Sequence, residues 1–230
     1  WNSIYRMSLR IDLKNGSIFG LSRFSIQKNA SRAFPYDQVY GSIAQNIGNI
    51  SPKQHFARII VNGEDWGIMN IEEHMSKEIL ERQKQKESMI FRFGNDLDSK
   101  YSKKNTNEYF YNRIGDDRLN TSIYQSKKYL SDDHNRMLFS YISDSKLNKN
   151  DASIFNVDKY SKSFILASIW GDWHALGSMN SRNYLNPYTL KLEPITTDNG
   201  PIQDLKILSE RKKNMINRAL HFGARYIELE

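Results

Sequence analysis

Asp172, Asn180 and Asp198 lie along one stretch of chain, Asp172-Trp173-His174-Ala175-Leu176-Gly177-Ser178-Met179-Asn180 and on to Ile195-Thr196-Thr197-Asp198. Asn180 and Asp198 carry hard oxygen atoms of the type Mg²⁺ accepts as ligands. Asp172, just after a predicted helix, is placed to orient an attacking hydroxyl. Phosphoryl transfer asks little more of a protein: a divalent cation on the phosphates, oxygen groups to hold it, and a group that directs the nucleophile. Spacing alone leaves a second reading open, in which all three are solvated turn residues, Asp172 as a cap and Asn180 ending a strand.

Other chemistry-bearing residues are weighed the same way. His174 is a lone imidazole beside Trp173, packed or facing solvent. The remaining histidines, His55, His74, His134 and His221, lack ligand spacing such as H-E-x-x-H, so a zinc site is not expected. Glu72-Glu73 reads first as an acidic pair favoured by the dipole at a helix start. Arg6, Arg10 and Arg23 fall on adjoining predicted strands, where they either neutralise phosphate in a common cleft or lie on an exposed sheet face. There is no G-x-S-x-G elbow, and Ser178 is near His174 only in sequence, which argues against a hydrolase. With no cysteine, disulfides, thiol nucleophiles and thiolate metal sites are excluded.

The chain of 230 residues is long enough for one large domain or two lobes sharing a cleft. Abundant Tyr and Phe with scarce Gly and Pro exclude collagen-like and disordered classes. A net charge of +7 and a pI near 9.4 favour polyanions. Lys and Arg alternate with Asp and Glu across 77–104 and 206–218, however, so a dedicated nucleic-acid surface is not expected. No apolar run reaches the ~20 residues that span a bilayer, and no signal-peptide order is seen. Because the chain starts at Trp1 without a methionine, that observation excludes no compartment.

The elements that must position the central stretch follow from periodicity. Alternation predicts strands over 7–13 and 21–27, joined as a hairpin. A helix is expected over 36–47, with Val39, Ile43 and Ile47 on its buried side and Pro35 near its start. Strands at 56–61 and 66–71 flank Asn62-Gly63, the strongest short hairpin signal. Ser76 is expected to cap a helix reaching Gln85. A short strand over 88–93 precedes a polar segment, 94–130, read as an irregular insertion. Helices are expected over 132–146, with Met137, Leu138, Tyr141 and Ile142 inward, and over 157–169, capped by Asn156, with Val157, Tyr160, Phe164, Ile165 and Ile169 inward. Residues 183–185 and 190–195 form a hairpin around Asn186-Pro187, the second strand running to Asp198. A last amphipathic helix is expected over 205–221.

Three segments resemble the CotH kinase family. Val61-Asn62-Gly63-Glu64-Asp65-Trp66-Gly67-Ile68-Met69-Asn70-Ile71-Glu72-Glu73-His74 is similar to its V-N-G-E-x-x-G-x-Y-x-x-x-E segment. The central stretch is similar to D-W…N-x-R-x-Y-x-N-P-x-T-x-K-L-x-P-I-x-x-D, and Ile18–Gln27 resembles G-x-x-x-F-S-L. The resemblance implies an α+β, atypical protein kinase-like two-lobed fold. Residues 1–74 would be an N-lobe of antiparallel sheet plus helix. Residues 75–230 would be a mainly helical C-lobe carrying a short catalytic and metal hairpin. The whole would be one kinase-like domain, open to truncation.

The implied activity is transfer of the ATP γ-phosphate to Ser or Thr hydroxyls of a protein substrate, with Mg²⁺ or Mn²⁺. Matched onto the motifs, Asp172 is the catalytic acid, Asn180 a metal ligand and Asp198 the principal metal ligand. Glu73 is the family's acidic residue near the nucleotide. Arg23, with Arg10, stands on the strands expected to meet phosphate. The sequence departs from the family pattern in four places. Asn199-Gly200 follows Asp198 where a second carboxylate is usual, leaving Asp204 as substitute. No Gly-rich loop is evident, no Lys occupies 21–27, and Met69 replaces a tyrosine. A nucleotide-binding but inactive module of coat or envelope assembly, and a basic polyanion-binding protein, therefore stand as alternatives. The compartment is undecided: a soluble domain, with cell envelope, secreted space and spore coat all compatible with the resemblance.

Overall fold

Alternating burial along the first strands sets up the first sheet. In the computed structural model, which describes residues 7–93, 121–147, 153–172, 174–176 and 180–202, β1 (Leu9–Asp12) pairs antiparallel with β2 (Arg23–Gln27). β3 (Gln54–Val61) and β4 (Glu64–Glu73) form the expected hairpin across Asn62-Gly63, and β4 also pairs with β2, giving the order β1-β2-β4-β3. One face buries Leu21, Phe24, Ile26, Trp66, Met69 and Ile71 together. By the two-residue period, the opposite face carries Arg10, Arg23, Ser25, Gln27, Asn70 and Glu72. A polar sheet face of this kind needs another part of the chain to satisfy it.

That part begins with a short 3-10 helix, Asn29–Arg32, and α1 (Tyr36–Asn46). α2 (Lys77–Arg82) is capped as expected by Ser76, whose hydroxyl accepts from Glu78 N. A second sheet follows, ordered β6-β5-β7-β8, from β5 (Ile90–Phe93), β6 (Thr121–Ile123), β7 (Arg182–Asn186) and β8 (Lys191–Ile195). Between β6 and β7 lie α3 (Ser126–Tyr129), α4 (Asp133–Leu147) and α5 (Val157–Trp170). One side of this sheet packs Met89, Phe91, Phe93, Leu185 and Leu192 against Ile142 of α4, and Ile90, Tyr184 and Ile195 pack with Ile79 and Leu80 of α2.

Several expectations are corrected here. The 182–195 hairpin is more than a short isolated one: it is half of a four-stranded sheet beside the helices of the described part of 75–230. Residues 121–130 are not irregular, because Thr121–Ile123 adds an edge strand to β5 and α3 follows. β8 ends at Ile195, not at Asp198. Residues 94–120, the expected helix over 205–221, Asp204 and Arg6 lie outside the described residues.

The helix faces also differ. α1 buries Asp37, Tyr40, Gly41 and Ala44, while Val39 is exposed. α4 buries Ile142, with Leu138 and Phe139 partly buried, and turns Met137 and Tyr141 outward. α5 buries Ser163, Leu166, Ala167 and Trp170, leaving Val157, Ile165 and Ile169 in solvent. Tyr40 and Ala44 of α1 pack with Leu166 and Trp170 of α5, Ala167 is fully buried, and Ser163 sits where Asn49 and Thr196 can bond it. The two halves of the chain are joined by this helix pair and by a parallel bridge between Ile50 and Ile195.

Candidate functional site

α5 delivers Asp172. Its N-terminus is fixed by Asn156, which accepts from Lys159 N, and its C-terminus by Gly171, in the left-handed conformation with its N–H on Ala167 O. The carboxylate emerging from that cap grips backbone on both sides. Asp172 Oδ1 accepts from His174 N at 2.9 Å, and Oδ2 accepts from Gly200 N. Gly200 O in turn accepts from Trp170 Nε1 at 2.9 Å. The loop after β8 is thus tied to the end of α5.

Asp198 heads that loop at φ 64°, a left-handed conformation uncommon outside glycine but tolerated by Asp. The next N–H, that of Asn199, donates to Asp37 Oδ1 at 3.0 Å, and Asp37 Oδ2 accepts from Gln54 Nε2 at 2.7 Å. Two carboxylates, Asp37 and Asp172, therefore hold consecutive backbone N–H groups just beyond Asp198. Asp198 itself contacts Arg32 Nη1 through Oδ1 and lies 3.5 Å from His174 Nε2 through Oδ2. Arg32 Nη2 is 2.7 Å from Glu72 Oε2, and its Nε donates to Gln27. Thr197 Oγ1 reaches Glu72 Oε1 at 3.4 Å.

Asn180 joins the same cluster. Its Nδ2 lies 3.1 Å from His174 Nε2 and 3.4 Å from His174 O. A neutral imidazole accepts from the amide; a protonated one donates to Asp198. The structure thus brings Asp172, Asn180 and Asp198 together around His174 and Gly200. His174 is not a bystander beside Trp173 but the link between Asn180 and Asp198.

The electrostatics follow from crowding acids on few cations. Burial pushes Glu72 up to about 7, against the lowering pull of Arg32, and also raises Asp37. Asp198 is held below its ordinary value, first by the hydrogen bond from His174 and then, against burial, by the charge of Arg32. The same hydrogen bond raises His174. Burial leads for Glu72 and Asp37, the neighbouring carboxylates add to it, and Arg32 opposes the rise in both.

The other sequence candidates are placed differently. Arg23 is paired with Asp12 at 3.1 Å, and both Arg10 and Arg23 act on His74, whose pKa falls to about 4, chiefly through burial. They share the polar sheet face with Glu72 but sit toward its β1 edge. Glu73 is 1% exposed and fully engaged, Oε2 by Lys53 N at 2.9 Å and by Arg82, Oε1 by Arg82 Nε at 3.2 Å. Glu72-Glu73 ends a strand and does not start a helix. Arg32, Asp37, Glu72 and His174 were not distinguished as site residues by spacing. For Glu72 a signal existed, since residues two apart on a strand share a face; for Arg32 there was none.

Asp198 and Asn180 offer oxygen donors from two separate segments. Among the described residues no three His, Asp or Glu side chains gather as a metal-holding group. Mg²⁺ is ordinarily held by one or two protein oxygens, with phosphate and water completing its shell. The donor set fits such a cation, with Asp198 and Asn180 as the residues that would hold it. The family model described as CotH kinase protein matches residues 3–193. This chain belongs to the CotH kinase family. The match takes in Arg32, Asp37, Glu72, Asp172, His174 and Asn180 and ends at Glu193, five positions short of Asp198. CotH membership makes the chain kinase-like, with ATP and a protein as the substrates the family suggests. No curated protein matches the chain. No helix among the described residues is long and apolar enough to cross a membrane.

Proposed function

We propose that this CotH-family chain transfers the γ-phosphate of ATP to Ser or Thr hydroxyls of a protein substrate, in a cleft between a lobe of residues 1–74 and one of residues 75–230. The observation that carries this reading is the convergence of Asp172, Asn180 and Asp198 on His174 and Gly200. In the reaction the hydroxyl oxygen bonds to the γ-phosphorus, the bond from that phosphorus to the β–γ bridging oxygen breaks, and ADP leaves. Asp172 orients the hydroxyl and accepts its proton. Backbone N–H groups fix both Asp172 oxygens in direction while each keeps a second lone pair for the incoming hydroxyl. Mg²⁺ or Mn²⁺ bound by Asp198 and Asn180 would supply charge neutralisation on the phosphates. Arg10 and Arg23, on the polar face of the first sheet, add positive potential on the side from which a triphosphate approaches.

The test is incorporation of labelled γ-phosphate into an acidic acceptor protein or into the chain itself, with Mg²⁺ or Mn²⁺. Wild type should incorporate label, and Asp198→Ala should abolish it. ATP binding without any incorporation would overturn the enzyme reading in favour of a second one, a nucleotide-binding assembly module. The hold of Arg32 on Asp198 favours that second reading. Polyanion binding would show itself by steep weakening with salt and indifference to Asp198→Ala.

A further inference from the structure

Arg32 occupies an unusual position for a cation in this site. Its three guanidinium nitrogens meet oxygens from three separate parts of the chain: Nε meets Gln27 at the end of β2, Nη2 meets Glu72 in β4, and Nη1 meets Asp198 beyond β8. The side chain is only 18% exposed, so these contacts are made largely out of water. Asp198 presents one oxygen to Arg32 and the other to His174. Both of its oxygens are therefore already facing nitrogen donors, although Asp198 is the carboxylate given the metal role above.

We propose that Arg32 is the built-in counter-ion of Asp198, which an incoming divalent cation displaces from Oδ1, so that Arg32 sets the metal concentration at which the site loads. The inference rests on the metal role given to Asp198 above. The physical reason is competition for one carboxylate. Glu72 and Asp198 share one guanidinium, Asp37 holds the N–H beside Asp198, and acids so placed require a cation nearby. Without metal, the bidentate reach of a guanidinium serves Glu72 and Asp198 at once, which a lysine ammonium cannot do with the same geometry. With metal, Gln27 and Glu72 retain the guanidinium while Nη1 gives up Asp198, so the displaced group stays beside the site.

The experiment is Mn²⁺ titration of the whole chain, followed by electron paramagnetic resonance without nucleotide. Arg32→Gln should bind Mn²⁺ about tenfold or more tightly than wild type, and Arg32→Lys should fall between. Adding Asp198→Asn to Arg32→Gln should remove the gain. Because Arg32→Gln leaves Glu72 buried without its partner, the double variant Arg32→Gln/Glu72→Gln, which keeps the local charge balanced, is measured beside it and should also bind more tightly. Affinity unchanged or lowered in these variants, with Mn²⁺ still bound in an Asp198-dependent way, would overturn the role of Arg32 and leave the metal site standing. Absence of Asp198-dependent Mn²⁺ binding in every form would overturn both.

Discussion

At the scale of single residues, the site depends on carboxylates that bind backbone as well as on those that face the reaction. Asp172 is aimed by the N–H groups of His174 and Gly200. A Cβ on Gly200 would lie 2.7 Å from Asp172 Oδ2, closer than such contacts occur. Gly200→Ala must push the carboxylate aside, and phosphate incorporation should fall on the order of 10²-fold, as misplacement by about 1 Å commonly costs. Steady-state rates beside a thermal melt would show whether the loss is in positioning or in folding. His74 offers a pH test away from the metal ligands. Its pKa is lowered from 6.5 to about 4, first by burial, then by Arg10 and Arg23 against Asp12. The fold favours neutral His74, so its contribution to stability is present above pH 6.5 and is lost as pH falls from 6.5 toward 4. Melts across that window should show a smaller acid-side decline in His74→Phe than in wild type.

At the scale of elements, local signals were read where they are strong. Asn62-Gly63 turned the β3–β4 hairpin, Ser76 capped α2 and Asn156 capped α5 because each motif acts within a few residues of itself. Ser76→Ala should cost about 1 kcal/mol in a urea titration. Buried faces were read less well. On α5 the more apolar stripe, Ile165 and Ile169, is in solvent, and the buried one contains Ser163 and Ala167. Hydropathy marks where apolar groups are, whereas the buried face also takes a small residue, Ala167, and a hydrogen-bonded one, Ser163. Leu166→Ala should therefore cost about 2–5 kcal/mol, in the range of large-to-small core changes. Ile169→Ser should stay within about 0.5 kcal/mol of wild type, as exposed substitutions do. Equal effects by denaturant melt would contradict the orientation of α5.

At the scale of the whole molecule, the cluster stands where two sheets and the α1–α5 pair meet. Gln27 and Glu72 come from the first sheet, Arg32 and Asp37 from the 3-10 helix and α1 between β2 and β3, Asp172 from the end of α5, and residues 197–200 from the chain leaving the second sheet. Asp37 is the buried tie in this arrangement, joining α1 to the Asp198 loop through Asn199 N and to β3 through Gln54. Asp37→Ala would leave the buried Asn199 N–H without an acceptor, at a cost of about 1–3 kcal/mol. Hydrogen exchange should then speed up at Asn199 while the amides of β7 and β8 keep their protection. Unchanged exchange at Asn199 would show that the loop is held by other means.

The sequence by itself determined the caps, the hairpins, the family and the strands other than Thr121–Ile123, because each of these is written in residues close together or in motifs carried in order. It also gave Asp172, Asn180 and Asp198 as the reactive candidates. Only the tertiary structure decided what surrounds them. Arg32 lies 166 residues from Asp198 and Asp37 lies 162 from Asn199. No local pattern records contacts over such separations, since the sheet face that presents Glu72 and the helix pair that presents Asp172 are fixed by packing. The missing carboxylate after Asp198 takes on a different sense in that setting. Asn199 is buried, and its backbone N–H is held by Asp37, so the position that departs from the family pattern is also the one that anchors the Asp198 loop.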